Sequence, residues 1–243
     1  MSFKSLNLIN PIIRAVTEAG YSKPTEIQYA AIPHILMGKD IIGFSPEGSG
    51  KTAAFAMPIL QLLKKNTPQH NEIRTLILTP TRELVVQIEE NIKVYSKYLP
   101  LSQLSLFDES SSQGSQFADL RKRVDVLIAT PGRLLQLTNQ RHIDLSKLEI
   151  LVLDDADKLL EMGFAEDVKK IMKMVSPKRQ TLFFSTTMPV DIRKFAEPLL
   201  NNPVEIISST ETNQQSVYFA KKKETAGFKI PVTKPIKTFQ YTI

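Results

Sequence analysis

The chain of 243 residues is 42% hydrophobic and 23% charged, a balance that calls for a globular fold with a real core. Lys and Arg number 31 against 25 Asp and Glu, and the net charge of +6 permits polyanion binding without establishing it. There is no cysteine, which excludes disulfides and thiolate metal sites.

Two helical segments come first, Pro11–Ala19 and Glu26–Leu36. Strand candidates then alternate with helical patterns: Asp40–Phe44, Thr75–Thr79, Leu104–Phe107, Val124–Ala129, Ile150–Leu153, Thr181–Phe184 and Val204–Ile207. Several are continuous Val/Ile/Leu runs, as strands covered on both faces require. The amphipathic stretches Thr81–Tyr98 and Phe164–Val175 lie between them. This order predicts an α/β fold with a mostly parallel, doubly wound sheet flanked by helices, in which ligands bind at the carboxyl ends of strands. After residue 208 the pattern fails: Ser208–Gln215 reads as a linker, Ser216–Phe219 as one more short strand, and Lys221–Ile243 as a tail too irregular for a second domain. His34, His70 and His142 lack metal-ligand spacing and read as surface or cap residues. No run approaches the ~20 apolar residues of a membrane span, and the N-terminus lacks the zones of a signal peptide, so a cytoplasmic monomer is expected.

The segment Ser45-Pro46-Glu47-Gly48-Ser49-Gly50-Lys51-Thr52 follows the first strand and opens a helix. It is nearly a phosphate loop: the glycines let successive N–H groups turn inward, and the helix start adds partial positive charge. In such a loop Lys51 reaches the β- and γ-phosphates and Thr52 ligates Mg²⁺. Without that chemistry the segment would be a flexible Gly/Ser loop, which a strand before it and a helix after it argue against. Glu47 is awkward, since a carboxylate ~5 Å from a phosphate charge costs about 3 kcal/mol at an effective dielectric of ~20 unless it rotates outward. A second strand ends in Asp154-Asp155-Ala156-Asp157. Near a phosphate loop the first acid, Asp154, holds Mg²⁺ through water, and the next can orient the attacking water. Alone, the same acids would be a helix start stabilised by the dipole.

From residue 1 to about 208 the chain resembles the first RecA-like lobe of a DEAD-box ATP-dependent RNA helicase. The family's Q motif is matched by Gly20-Tyr21-Ser22-Lys23-Pro24-Thr25-Glu26-Ile27-Gln28, with Phe3 as the isolated upstream aromatic. The resemblance implies that Gln28 reads the adenine edge, that Tyr21 and Phe3 lie near the base, and that ATP with Mg²⁺ is the cofactor. Pro80-Thr81-Arg82-Glu83-Leu84 and Thr130-Pro131-Gly132-Arg133 match the motifs that contact RNA backbone. Thr130 and Pro131 suit a helix start whose free N–H groups accept a phosphate, and Arg82 and Arg133 could add charge-assisted bonds. Read without RNA, Arg82 and Glu83 would pair on a solvated helix start. Such contacts carry little sequence preference, and no aromatic stacking platform is visible. Ser185-Thr186-Thr187 stands where the family has Ser-Ala-Thr, and the resemblance implies that Ser185 and Thr187 couple to Asp157.

Four departures separate the chain from the family pattern, besides the milder Thr186. Asp155 stands where the family has Glu, one methylene short, and about 1 Å of misplacement can cost ~100-fold. Glu47 replaces the loop threonine, Glu109 and Ser110 replace paired glycines, and Thr186 replaces alanine. A second RecA-like lobe, whose arginines would contribute about 10³–10⁵ in rate, does not follow within the sequence and would have to be supplied in trans. Two readings therefore stand: an ATP-hydrolysing helicase lobe, weak alone, and a degenerate module that binds nucleotide, RNA or a partner without useful turnover. An unrelated phosphate-loop switch protein fits neither the Q motif nor Thr130–Arg133.

Overall fold

Seven short apolar runs form parallel strands because covering helices bury both of their faces. The structure, a computed structural model, describes residues 2–65, 72–107, 120, 123–208 and 217–220, the last four by backbone alone. The strands are β1 (Ile41–Phe44), β2 (Thr75–Leu78), β3 (Gln103–Leu106), β4 (Val126–Ala129), β5 (Ile150–Leu153), β6 (Gln180–Ser185), β7 (Val204–Ser208) and β8 (Val217–Ala220). The order across the sheet is β3-β4-β2-β5-β6-β1-β7-β8. Every pairing is parallel except β7 with β8. Central strands are buried along their whole length, whereas β3 and β7 are only half-buried, as their places nearer the edges require.

Helices cover both faces: α1 (Asn10–Glu18), α2 (Glu26–Leu36), α3 (Lys51–Lys65), α4 (Arg82–Tyr95), α5 (Pro131–Asn139), α6 (Ala156–Glu161), α7 (Ala165–Met172) and α8 (Val190–Ala196). None among the described residues is long and apolar enough to cross a membrane. Alternation along each strand divides the core in two. Ile150 and Val152 of β5 face the layer of α1–α4, while Leu151 and Leu153 face the layer of α5–α8. Burying one such side chain contributes about 1.5–3 kcal/mol, so the two layers together fix the register.

The helices Thr81–Tyr98 and Phe164–Val175 are shorter than their apolar patterns suggest, ending at Tyr95 and starting at Ala165. The strand expected at Ser216–Phe219 forms over Val217–Ala220 and pairs antiparallel with β7 in this same sheet. Apart from Ser208, which ends β7, the expected linker Ser208–Gln215 lies outside the described residues, as do the tail Lys221–Ile243, Glu109, Ser110 and His70.

Asp40 also leaves its expected strand, for a physical reason. Its buried carboxylate accepts from Thr181 N at 2.8 Å and Asn201 N at 2.6 Å, tying the starts of β1 and β6 to the turn before β7. An ionised acceptor makes such bonds stronger than neutral ones, and their loss leaves buried N–H groups unpaired. Asp40→Ala is expected to cost about 2–4 kcal/mol in urea unfolding, and Asp40→Asn less. A loss below ~1 kcal/mol for the alanine variant would contradict this role.

Candidate functional site

The loop between β1 and α3 sits at the carboxyl edge of the sheet, where its first residue is pinned by Ser45 N donating to Ser185 O at 3.2 Å. Gly48 and Gly50 take φ values of 74° and 90°, a left-handed backbone that L side chains rarely adopt. Gly50 is doubly constrained, because a Cβ there would come within 2.3 Å of the Gln28 amide nitrogen. Gln28 is buried and accepts from Thr25 N at 3.1 Å while donating to Gly50 O at 3.2 Å. A glutamine side chain offers two donors and an acceptor with two lone pairs, so capacity remains to meet a ligand edge.

Lys51 opens α3 with its ammonium folded back over the loop, donating to Ser45 O at 2.8 Å, Pro46 O at 3.4 Å and Thr186 Oγ1 at 3.2 Å. It also lies 3.8 Å from Asp155 Oδ1. Residues 47–53, Asp154, Asp155 and Lys158 line a cleft of about 530 Å³; Tyr21, Gln28, Leu84, Gln87, Asn91 and Tyr95 complete its lining. Tyr21 meets Tyr95 edge-on at 6.2 Å between ring centroids. The cleft therefore offers cations for phosphates together with rings and amides for a base.

Asp154 and Asp155 follow β5 directly, and both are buried. Burial, and then the neighbouring Asp155, push the Asp154 carboxyl up to about 7, against the opposing pull of Lys51. Its Oδ1 is buried without a hydrogen-bond partner among the described residues. No group of three or more His, Cys, Asp or Glu among them forms a metal cage. An unpartnered carboxylate oxygen on a residue that lines the same cleft as Thr52 fits a hard cation whose remaining ligands are phosphate and water. Asp155 holds a left-handed backbone, φ 49° and ψ 51°, at the sharp turn from β5 into α6. Asp157 Oδ2 accepts from Thr186 N at 3.2 Å, Thr187 N at 2.9 Å and Thr187 Oγ1 at 3.0 Å, joining the acidic segment to the end of β6.

Glu47 lines this cleft with its charge compensated. Its carboxylate pairs with Lys158, which lies on α6, and that ammonium holds it below the usual carboxylate range. Lys158 Nζ also lies 3.4 Å from Asp155 Oδ2.

A second, wider cleft of about 1030 Å³ lies on the same edge of the sheet, lined by Pro80, Thr81, Arg82, Glu83, Thr130, Gly132, Arg133, Gln136, Phe107, Met162 and Phe164. Thr81 caps α4 by accepting from Leu84 N at 3.3 Å, and Thr130 with Pro131 starts α5. Arg82 lies over the Phe107 ring at 4.9 Å rather than pairing along the helix with Glu83, whose carboxyl is held low by its own amide and the Thr81 hydroxyl. Arg133 is buried and donates to Gln136 Oε1 at 2.5 Å.

Of the expected residues, Tyr21, Gln28, residues 47–52, Asp154 and Asp155 line one cleft and Pro80, Thr81, Arg82, Thr130, Gly132 and Arg133 the other, while Ser45, Pro46 and Pro131 line neither. Phe3 joins neither: it is buried in the core under α2. Ser185 does not reach Asp157, because its hydroxyl donates to Thr187 O at 2.8 Å. Sequence motifs gave no sign of Lys158 in the first cleft, or of Phe107, Met162 and Phe164 in the second. Those three side chains come from two distant segments, so no local pattern announces them.

A family model described as DEAD/DEAH box helicase matches residues 25–195. The chain is 41% identical over 232 residues to the ATP-dependent RNA helicase DeaD of Buchnera aphidicola, covering 93% of this chain and 38% of that protein. It is 40% identical over 217 residues to DeaD of Escherichia coli K12, covering 89% of this chain and 34% of that one. The chain therefore spans little more than a third of these relatives. A crystal structure of a DEAD box protein from Methanococcus jannaschii superposes with a TM-score of 0.81 at 33% identity, over 88% of this chain and 57% of that one.

The raised carboxyl of Asp154 has a consequence for stability. A group with its folded pKa above the ordinary value of 3.8 contributes stability that is fully present below 3.8 and is lost progressively as pH climbs to about 7. Asp154→Asn is expected to raise the melting temperature of the metal-free protein by roughly 3–10 °C at pH 8 and by less than about half as much at pH 5. Thermal melts at both pH values check this, and an equal shift at both would contradict it.

Proposed function

The chain belongs to the DEAD/DEAH box helicase family, and from that premise we propose that it is the family's ATP-binding lobe, coupling ATP hydrolysis to the binding and remodelling of RNA. One observation carries this reading: Lys51 at the end of the glycine loop stands 3.8 Å from Asp155, which follows Asp154 at the end of β5. A cation for phosphates, an oxygen set for Mg²⁺ and a carboxylate for water thereby meet in one cleft. Gln28 and Tyr21 would meet the adenine, the loop amides and Lys51 the phosphates, and Thr52 and Asp154 a hydrated Mg²⁺. When bound, Mg²⁺ neutralises phosphate charge. Asp155 would orient the attacking water and accept its proton, with Lys51 holding the γ-phosphate against the developing charge. The hydrogen bonds of Asp157 to Thr186 and Thr187 would pass closure of the cleft to the rest of the lobe.

The second cleft supports RNA as the other ligand. The relatives are named ATP-dependent RNA helicases, and here the starts of α4 and α5, Arg82 and buried Arg133 surround a groove with an apolar floor. Phosphate and sugar contacts of this kind position a strand without reading sequence. Turnover would need a second RecA-like lobe to close the cleft, in cis or in trans; a cytoplasmic monomer is the working state we assign.

A binding module without useful turnover is the second reading, favoured by Asp155 itself: it is one methylene short and its two oxygens are shared between Lys51 and Lys158. Titration with Mg-ATP and RNA-stimulated phosphate release, with a compatible second lobe present, separate the two. The helicase reading expects nucleotide affinity to fall at least ~10-fold in Lys51→Ala and RNA to accelerate phosphate release. Absent turnover that Asp155→Glu restores would establish the binding module and locate its defect. No nucleotide bound at millimolar concentration would sink the helicase reading and leave the binding module without its nucleotide.

A further inference from the structure

Two of the acidic side chains that set this chain apart from the family pattern, Glu47 and Asp155, are joined through a single cation. Lys158 Nζ donates to Glu47 Oε1 and reaches to 3.4 Å from Asp155 Oδ2. Asp155 Oδ1 faces Lys51 Nζ at 3.8 Å. Glu47, Lys158, Asp155 and Lys51 thus alternate in sign across the mouth of the cleft, from the loop to the helix that follows β5.

Stability does not account for this arrangement. The Glu47 and Lys158 side chains are 68% and 41% exposed, and exposed ion pairs of this kind contribute little to folding. Their position is informative instead, because both line the cleft in which phosphates would sit. A lone carboxylate in the loop would repel an incoming polyphosphate. Paired with an ammonium, it adds no net charge, and the ammonium hangs from a flexible four-carbon stem that can turn toward phosphate oxygens.

We propose that Lys158 is a further nucleotide-binding residue: it neutralises Glu47 within the phosphate loop and presents a second cation to the phosphates beside Lys51. The proposal rests on the nucleotide-binding reading above and adds a residue to it. It requires the two substitutions Lys158→Ala and Glu47→Thr to be coupled, since the cost of losing the ammonium depends on the carboxylate it leaves behind.

The test is a double-mutant cycle in equilibrium binding of a fluorescent, non-hydrolysable ATP analogue with Mg²⁺ to the whole chain. Lys158→Ala is expected to weaken binding about 10-fold in the parent and less than about 3-fold in the Glu47→Thr background. Lys158→Arg should stay within about 2-fold of the parent, and the parent-to-alanine gap should narrow in high salt, as screening of exposed charges requires. Equal factors in the two backgrounds, no effect, or tighter binding by Lys158→Ala would overturn the proposal. Lys51→Ala in the same titration keeps the outcomes apart. If it weakens binding while the cycle shows no coupling, only the role of Lys158 falls. If the folded parent does not bind at all, the nucleotide-binding reading falls and this inference with it.

Discussion

The parallel register of the central strands is the constraint on which the site depends. Phe44 lies level with Ser185, Leu153 with Phe183 and Leu78 with Leu153, so β1, β6, β5 and β2 all deliver their carboxyl ends to one edge. That edge receives the glycine loop from β1, the acids from β5 and the Ser-Thr-Thr turn from β6. A one-residue slip would exchange the two faces of a strand that is apolar on both, but it would also move Asp154 or Lys51 by about 3.3 Å, a whole rise. Asp40 guards the other end of the same strands, where its carboxylate holds the backbone of β6 and the turn before β7.

Charge then organises the edge. Three carboxylates within four residues would repel one another, yet each is handled differently. Asp157 is satisfied by three donors from the end of β6, Asp155 is flanked by two ammonium groups, and Asp154 is left with an unpartnered oxygen. The least satisfied acid is the one whose pKa rises to about 7, and it is the one best placed to take a hard cation. Strain is stored in the same place: Asp155 holds a left-handed backbone that a non-glycine residue adopts at a cost of roughly 1–2 kcal/mol. A structural turn could use glycine there; a carboxylate held at that angle suits chemistry better.

Much of this was legible in the chain itself. The run Ile150–Leu153 has no polar alternation and so declares a strand covered on both faces, and the glycines between strand and helix declare the left-handed turns of the loop. Each cleft gathers short motifs, such as residues 47–52 and 80–82, that are each contiguous in sequence. What stayed hidden depends on distance in space. Phe3 has the spacing of a base-stacking aromatic but is drawn into the core beneath α2, because burial of a whole ring outweighs a position at the cleft. Lys158 looks like an ordinary surface lysine until the turn of α6 sets it opposite Glu47. Phe107 ends one segment and Met162 and Phe164 close another, so their shared groove exists only after folding. The Ser185 hydroxyl satisfies a carbonyl two residues on, a local bond that competes with the longer reach to Asp157.

Whether the glycine loop and the acids of β5 act as one nucleotide site is tested most directly by amide hydrogen exchange with and without a non-hydrolysable ATP analogue and Mg²⁺. Slower exchange is expected together in residues 45–52, in 21–28 and in 154–158, with the core of α7 unchanged. Protection confined to the second cleft, or none in the loop at saturating nucleotide, would contradict the account.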